Sequence, residues 1–312
     1  MYRGFGSFLG YLGGAQDYWL HGFLRLPVHG KGKSGTATYL DFCDGDQAAF
    51  NHTCWADDAC GTEYYSTHLF ARRAIELIEA QQGATMPMFL YLAWQSVHSV
   101  EGPDPEQLKA PQRYIDRFQD SIPNEQRRAF AAMTATLDEG VANVTQALKR
   151  TGLWDDTLVI FSTDNGGPAD GYDKNMASNW PLRGTKGGLL EGGVRGVGVV
   201  SGGAVPAERR GMVLQGLIHV SDWFPTILSF VAQGGTGAQS GQLERTQQPS
   251  WRDLVTLQLR EPPFALGDGQ DMLAYLLGGS ERGPSPRTEV LHEAHPLGSD
   301  DGVGNALRMG GE

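Results

Sequence analysis

The chain has no run approaching about eighteen consecutive apolar residues, the length a helix needs to cross a bilayer, so no membrane span is expected. It is also short of positive charge. Its 25 Lys and Arg stand against 36 Asp and Glu, a formal net charge of -11 over 312 residues. Wrapping a polyanion requires clustered cations that displace counterions, so nucleic acid is excluded as an expected partner. A small anionic substrate stays open, because a few cations in one cleft decide that locally. The opening MYRGFGSFLGYLGG lacks the apolar stretch of a secretory leader, since glycines interrupt every apolar segment before Gln16-Asp17. No signal peptide is therefore expected in this chain.

Cysteine is scarce and local. Cys43, Cys54 and Cys60 fall in one loop-like segment rich in Asp, Gly and Asn, where a local disulfide is expected. The Cys43 to Cys54 interval brackets Asn51-His52-Thr53, an N-glycosylation sequon, with Cys60 as the odd thiol. A second sequon stands at Asn143-Val144-Thr145, and together they lean toward the secretory pathway.

What is present is a core-forming composition, 40% hydrophobic and 20% charged, long enough for one large core or two domains. Residues 1–62 alternate Gly and aromatics without a helical period, which predicts loops and short strands. Apolar spacing predicts a helix over 64–82, stopped by Gly83 and Pro87. The continuous apolar run 88–94 then reads as a strand covered on both faces. Glu125 to Arg150 places Ala129, Met133, Leu137, Val141, Val144 and Leu148 at threes and fours, a long amphipathic helix ended by Gly152. Residues 157–162 read as the next buried strand, and strand, crossover helix, strand is the parallel unit of an α/β fold. A further strand is expected over 194–201 and a helix from Ser221-Asp222 to Ala232. The Gly/Gln/Ser-rich segment 233–250 reads as a flexible linker. A short helix over 271–277 and a short strand over 288–291 follow, with a disordered tail after Gly298.

In open parallel sheets ligands bind at the carboxyl ends of strands. That rule selects His98, just beyond 88–94, and Asp164-Asn165-Gly166-Gly167, just beyond 157–162. A carboxylate and an amide oxygen on a glycine turn are hard ligands suited to Ca²⁺ or Mg²⁺. The alternative for Asp-Asn-Gly is an Asx turn at a strand end, and for His98 a bond to a neighbouring carbonyl. Lys186 lies in NWPLRGTKGG, where two cations among glycines suit an oxyanion, the alternative being a solvated loop. Trp180 and Tyr172 could stack on a sugar ring or pack locally.

GLWDDTLVIFSTDNGG followed by NWPLRGTKGGLLEGGVRGVG resembles the second half of the sulfatase domain, most nearly the arylsulfatase B subgroup. FLGYLGGAQDYWLHG, FLYLAWQSVH, LDEGVANVTQALKRTGLW, LIHVSDWFPTIL and GPSPRTEVLHEAHP support the resemblance in the same order, so that it covers most of residues 2–297. It implies an alkaline-phosphatase-like α/β fold, a mostly parallel sheet flanked by helices with its first βα units missing, and a small C-terminal α+β region. Residues 1–232 would be the C-terminal part of the catalytic domain, 233–250 a linker and 251–312 the small region. By the same resemblance Asp164 and Asn165 match a calcium-ligating pair, Lys186 a sulfate-binding lysine and His98 the histidine that contacts the ester. The implied reaction is hydrolysis of a sulfuric ester, as in an N-acetylgalactosamine-4-sulfatase, on a sulfated sugar or aryl sulfate, in lysosomes or outside cells.

The family nucleophile is a formylglycine made from Cys or Ser in Cys/Ser-x-Pro-x-Arg, and no cysteine or serine here stands in that pattern. The family's first metal-binding Asp pair is absent too, so the expectation is a front truncation, an incomplete calcium ligand set and little activity from this chain alone. Two other readings compete: a catalytically dead protein that binds sulfated glycans, and a phosphatase or phosphodiesterase of the same superfold. Against the latter, His219, His292 and His295 read better as strand-end or helix-start residues than as ligands of a two-metal site.

Overall fold

The computed structural model describes residues 4–30, 33–100, 108–171, 174–234, 267–278, 283–293 and 306–309. Two units divide the chain, Met1–Thr151 with Gly167–Lys186, and Gly152–Gly166 with Gly187–Glu312.

In the first unit, β1 (Leu9–Gly10), β4 (Cys43–Asp44) and β5 (Gln47–Ala48) form a small antiparallel sheet with β4 in the middle. Strands β2 (Gly22–Gly30) and β3 (Lys33–Leu40) form a separate antiparallel hairpin, irregular between Phe23 and Leu26, and longer than the short strands expected there. The disulfide joins Cys54 to Cys60, with Cα atoms 6.2 Å apart, and Cys43 is the free thiol. This corrects the expectation that Cys60 is the odd one. Cys43 is fixed in the central strand of its sheet, while the 3-10 turn Asp57–Cys60 folds Cys60 back toward Cys54.

Helix α1 (Ser66–Ala80) buries Phe70, Ala74 and Ile78 at intervals of four, together with Leu69 and Ala71. A single-turn helix α2 (Gln112–Asp116) precedes α3, which spans Glu125–Arg150 as the apolar spacing predicts. Asn124 caps α3 by accepting from Arg127 N–H at 2.8 Å, Glu125 sits in the first turn, and Lys149 and Arg150 sit in the last, the polarity the helix dipole favours. The buried face of α3 is Ala132, Met133, Thr136, Gly140, Ala147 and Leu148, rotated from the stripe of larger residues. Small residues win because neighbours come close: a Cβ on Gly140 would lie 2.9 Å from the Trp94 ring. Tyr18, Trp19, Tyr65, Tyr114 and Met133 form the main core, and Tyr18 stacks on Tyr65 at 4.9 Å between centroids.

Residues 88–94 run without a ladder, leaving Phe89 60% and Tyr91 74% exposed. The apolar run expected as a doubly covered strand therefore has no strand partner among the described residues.

In the second unit, β6 (Val159–Ser162) pairs antiparallel with β7 (Gly198–Ser201), Val159 opposite Ser201 and Ser162 opposite Gly198. The strand expected from residue 194 starts only at 198, because Glu191–Val194 turns as the short helix α4 and closes with an Arg195–Glu191 ion pair at 3.3 Å. Helix α5 (Trp223–Ala232) follows a 3-10 turn capped by His219, which confirms a helix-start role for that histidine. Asp222 is fully buried and saturated: His219 N–H and Gln270 N–H donate to it at 2.7 and 2.8 Å, and Arg287 donates through Nε at 2.8 Å and Nη2 at 2.7 Å. Helix α6 (Leu273–Leu277) brings Tyr275 and Leu276, beside Met272, into a core with Val200, Leu214, Ile218 and Trp223. Strand β8 (Glu289–Glu293) pairs with β9 (Ala306–Met309), so part of the tail expected to be disordered is a strand. The linker expected over 233–250 falls, apart from its first two residues, outside the described residues, as do Tyr172 and His295.

Candidate functional site

His98 closes a turn whose backbone is gripped from below. Its N–H donates to Gln95 O at 3.0 Å, and the Tyr18 hydroxyl donates to His98 O at 2.9 Å and to Gln95 O at 3.2 Å. Complete burial first, and neighbouring Tyr65 second, hold the Tyr18 phenol well above its ordinary pKa, so it remains a donor at neutral pH. Gln95 is itself held, accepting from Ser66 Oγ at 2.6 Å and donating to Gln16 O. On this buried platform the His98 ring is exposed. Its Nδ1 lies 2.7 Å from Ser99 O, a carbonyl that can only accept, which places the proton on Nδ1 and leaves Nε2 as the lone-pair nitrogen.

Lys186 Nζ stands 3.4 Å from that Nε2, so the structure brings these two predicted residues together within the first unit. The separation is at the long end for an N–H···N contact, a bond readily exchanged for one to an anionic oxygen. The loop that carries Lys186 is clamped by Asn179. Its Oδ1 accepts from Gly167 N–H at 2.8 Å, and its Nδ2 donates to Gly167 O at 2.8 Å and Gly184 O at 3.0 Å. Lys186 N–H also donates to Gly167 O at 3.3 Å. Gly167 has to be glycine here, since a Cβ would fall 2.5 Å from that of Ala177. Asn175, 5% exposed, donates to Val97 O at 3.3 Å and so ties the same loop to the His98 turn.

Asp164 and Asn165 lie in the second unit, separated from the end of β6 only by Thr163. Thr163 prolongs the ladder by bonding Val197 through both N–H (3.0 Å) and Oγ1 (2.8 Å), and Gly166 N–H donates to Gly193 O at 2.9 Å. Between these anchors Asp164 Oδ1 accepts from Asn165 N–H at 2.9 Å, and Asn165 Nδ2 donates to Gly166 O at 2.8 Å. Asn165 thus spends its donor inside the turn and keeps its amide oxygen as the acceptor. Gly166 is required because a Cβ would lie 1.9 Å from Gly192 O.

Both side chains are hard oxygen donors of the kind calcium takes. Calcium, however, binds about six to eight oxygens. Among the described residues no group of three His, Cys, Asp or Glu side chains is placed to hold a metal. The donor type fits and the number does not, so these residues do not by themselves make a calcium centre.

The family model for sulfatases matches residues 2–232, well over half of the chain. The chain belongs to the sulfatase family. Arylsulfatase J of Mus musculus is 36% identical over 296 residues, 95% of this chain and 39% of that protein. N-acetylgalactosamine-6-sulfatase of Canis lupus familiaris is 25% identical over 214 residues, 68% of this chain and 33% of that protein. This sulfatase chain therefore spans between a third and two-fifths of the length of these relatives. The crystal structure of Ps i-CgsB in complex with k-i-k-neocarrahexaose matches it with a TM-score of 0.59 at 22% identity, over 88% of this chain and 50% of that one. A structure concerned with glycosaminoglycan metabolism in Bacteroides thetaiotaomicron gives 0.53 at 18% identity, over 91% and 50%. Together these likenesses establish the alkaline-phosphatase-like α/β fold that the sequence predicts.

Sequence reasoning singled out His98 and Lys186 but missed their supports, Tyr18, Asn175 and Asn179. Asn in a glycine-rich loop is a signal for local backbone bonding and could have marked the two asparagines. Nothing in the sequence links Tyr18 to a residue eighty positions away.

Proposed function

We propose that this chain supplies the sulfate-handling side of a sulfuric ester hydrolase, acting on a sulfated aminosugar or an aryl sulfate. The observation that carries the reading is the contact of Lys186 Nζ with His98 Nε2 at 3.4 Å in a member of the sulfatase family. An ammonium and an imidazole side by side suit a tetrahedral anion. Lys186 balances charge shared over the sulfate oxygens, while His98, once protonated on Nε2, donates to the leaving oxygen; the Nδ1–H bond to Ser99 O keeps the ring oriented through both states. The exposed Trp180 next to the Asn179 clamp offers a ring face to the sugar.

Asp164 and Asn165 would contribute two oxygen ligands to a calcium ion, which needs further oxygens beyond this pair. When bound, such an ion would supply positive charge. The Cys/Ser-x-Pro-x-Arg nucleophile is likewise not among the residues present, so the chain alone binds but does not turn over sulfate esters. We further assign residues 1–232 to the catalytic domain and the protein to a lysosomal or extracellular compartment. Asn51 and Asn143 are both exposed; Asn51 stands on a short 3-10 turn and Asn143 within α3, and the turn is the favoured glycan acceptor.

Calorimetric titration with N-acetylgalactosamine 4-sulfate tests the sulfate site. Intact chain should bind, and Lys186→Ala should weaken binding about tenfold, as expected for loss of a charge-assisted hydrogen bond. Equal affinity in the variant refutes the assignment, and hydrolysis of an aryl sulfate well above background by the purified chain refutes its inactivity. The absent nucleophile motif favours a second reading, a sulfated-glycan receptor. Supplying the missing half of the domain separates the two: an enzyme gains turnover and a receptor does not.

A further inference from the structure

Where α1, α2 and α3 meet in the first unit, His68 and Tyr114 form a hydrogen-bonded chain that takes no part in the sulfate site. His68 is half-buried on the first turn of α1, and both its ring nitrogens are engaged: Nδ1 lies 3.0 Å from Thr62 O and Nε2 lies 3.0 Å from the Tyr114 hydroxyl. A carbonyl oxygen can only accept, so the ring proton sits on Nδ1 and Nε2 takes the hydroxyl proton of Tyr114. The hydroxyl oxygen accepts from Arg113 Nη2 at 2.8 Å, and Arg113 pairs with Glu139 Oε1 at 3.7 Å. The 3-10 turn Thr62–Tyr64, α1, α2 and α3 are thus joined through one hydroxyl, whose single proton is committed to His68.

The groups around His68 disfavour a charged ring. Arg113 faces it from α2, and Arg72 faces it from its own helix while donating to Glu63 O at 3.3 Å. Arg113 and Arg117 also lie over the Tyr114 ring, at 4.7 and 5.6 Å from its centroid. Glu139 on α3 is the carboxylate that opposes these cations. Burial first, then the two guanidiniums, hold the His68 pKa below its ordinary value, although the Thr62 carbonyl and Glu139 pull the other way. If Nε2 takes a proton from solvent, it no longer accepts from Tyr114, and the hydroxyl has to turn its own proton elsewhere. Burial first and a bond to Glu139 second raise the Tyr114 phenol, so Glu139 is the acceptor at hand. An imidazolium then stands beside Arg113, with one carboxylate shared among three donors.

We propose that His68 is the proton sensor of an acid-released latch, in which charging Nε2 turns the Tyr114 hydroxyl from α1 to Glu139 of α3 and loosens the docking of α2. Because the ring pKa is depressed on folding, the unfolded chain binds the proton better. The stabilisation is therefore fully present above about pH 6.5 and is lost as pH falls toward the folded value. The same fold is thus firm at neutral pH and looser in an acidic compartment. The latch opens onto the main core, since Tyr114 packs there with Tyr18, Tyr65, Val100 and Ala110. Tyr65 lies 5.6 Å from the His68 ring and stacks on Tyr18, which holds His98 O, so the sensor is one aromatic pair away from the His98 platform. The latch stands independently of the sulfate assignment.

The test is a titration of the full chain, labelled at its histidine ring carbons, from about pH 8 to about pH 5. His68, identified by the signal missing in His68→Gln, should titrate with a midpoint below about 6.5. Arg113→Gln removes a facing cation and should move that midpoint up, and Glu139→Gln removes the facing carboxylate and should move it down. Hydrogen exchange reads the latch itself through Tyr114 N–H, which donates to Pro111 O at 2.9 Å. Corrected for the intrinsic pH dependence of exchange, its protection should fall about threefold or more across the His68 midpoint in the intact protein and stay level in His68→Gln. Tyr114→Phe keeps the ring and removes the hydroxyl, so it serves as a second variant in which protection should also stay level. A midpoint that ignores both charge variants overturns the latch, as does protection that stays level in the intact chain through the His68 titration. An equal fall in His68→Gln, or in Tyr114→Phe where His68→Gln does not fold, overturns it as well.

Discussion

Asp17→Asn should cost about 3 kcal/mol of folding stability, the lower end of what losing one member of a buried ion pair costs. Asp17 is 1% exposed, and its Oδ1 accepts from Trp19 N–H at 2.9 Å and Leu20 N–H at 2.8 Å. Its Oδ2 takes the Lys109 ammonium at 2.7 Å. Asparagine preserves the shape and one acceptor oxygen, so the backbone bonds survive and the lost quantity is the charge. Lys109, whose side chain is 18% exposed, then keeps only Asp57 at 3.1 Å, and that partner is half exposed. The remaining pair explains why the lower end applies. Urea unfolding at pH 7, followed by tryptophan fluorescence with buried Trp19 as reporter, should show a lower midpoint with the slope unchanged. Acid provides the second arm. Burial alone would raise the Asp17 carboxyl, but the Leu20 N–H bond, the Lys109 ammonium and the Trp19 N–H together outweigh it and hold the pKa below the ordinary carboxylate value. A carboxyl depressed on folding stabilises fully above its unfolded pKa of about 3.9, and that contribution is lost as pH falls through the folded value. The gap between the two proteins should stay constant from neutral pH down to about 5 and narrow below about 4. A difference under about 0.5 kcal/mol at pH 7, the scatter of ordinary surface substitutions, would refute the reasoning.

Gly166→Ala places a methyl 1.9 Å from Gly192 O and should cost at least about 2 kcal/mol in thermal or chemical unfolding, since backbone on both sides prevents relaxation. A stability equal to wild type would mean that the turn bearing Asp164 and Asn165 is looser than described. Thiol titration of the oxidised, denatured protein should find one reactive cysteine, with a Cys54–Cys60 peptide in a non-reducing digest; a Cys43-containing disulfide peptide would contradict the pairing. Arg287→Lys removes the two-pronged grip on Asp222 and should destabilise by about 2–3 kcal/mol, because a lysine cannot replace both N–H···O bonds to a buried carboxylate. Unfolding curves that superpose on the wild type would show that this ion pair contributes little.

The local elements were largely legible in the sequence. The bounds of α3 follow from apolar spacing and from the glycine just beyond its end. The rotation of its buried face was not legible, because Gly140 is buried for the close approach of Trp94, forty-six residues away in the chain. The disulfide went the same way. Sequence distance favours neither pairing, and the choice falls to the small sheet that immobilises Cys43 and the 3-10 turn that folds Cys60 back to Cys54. The apolar run 88–94 shows the same limit: it states that a segment is to be covered, and its partner is decided elsewhere.

By itself the sequence determined the family, the composition that sets its charge and core, the long helix, and the identity of His98, Asp164, Asn165 and Lys186 as the residues worth locating. These depend on residue type and local spacing. Only the tertiary structure decided that Lys186 reaches His98 Nε2 and that Tyr18, Asn175 and Asn179 hold the two in place. Each of those is a contact between residues far apart in the chain or on different turns, and such contacts are fixed by packing and hydrogen-bond satisfaction across the whole unit rather than by neighbouring residues.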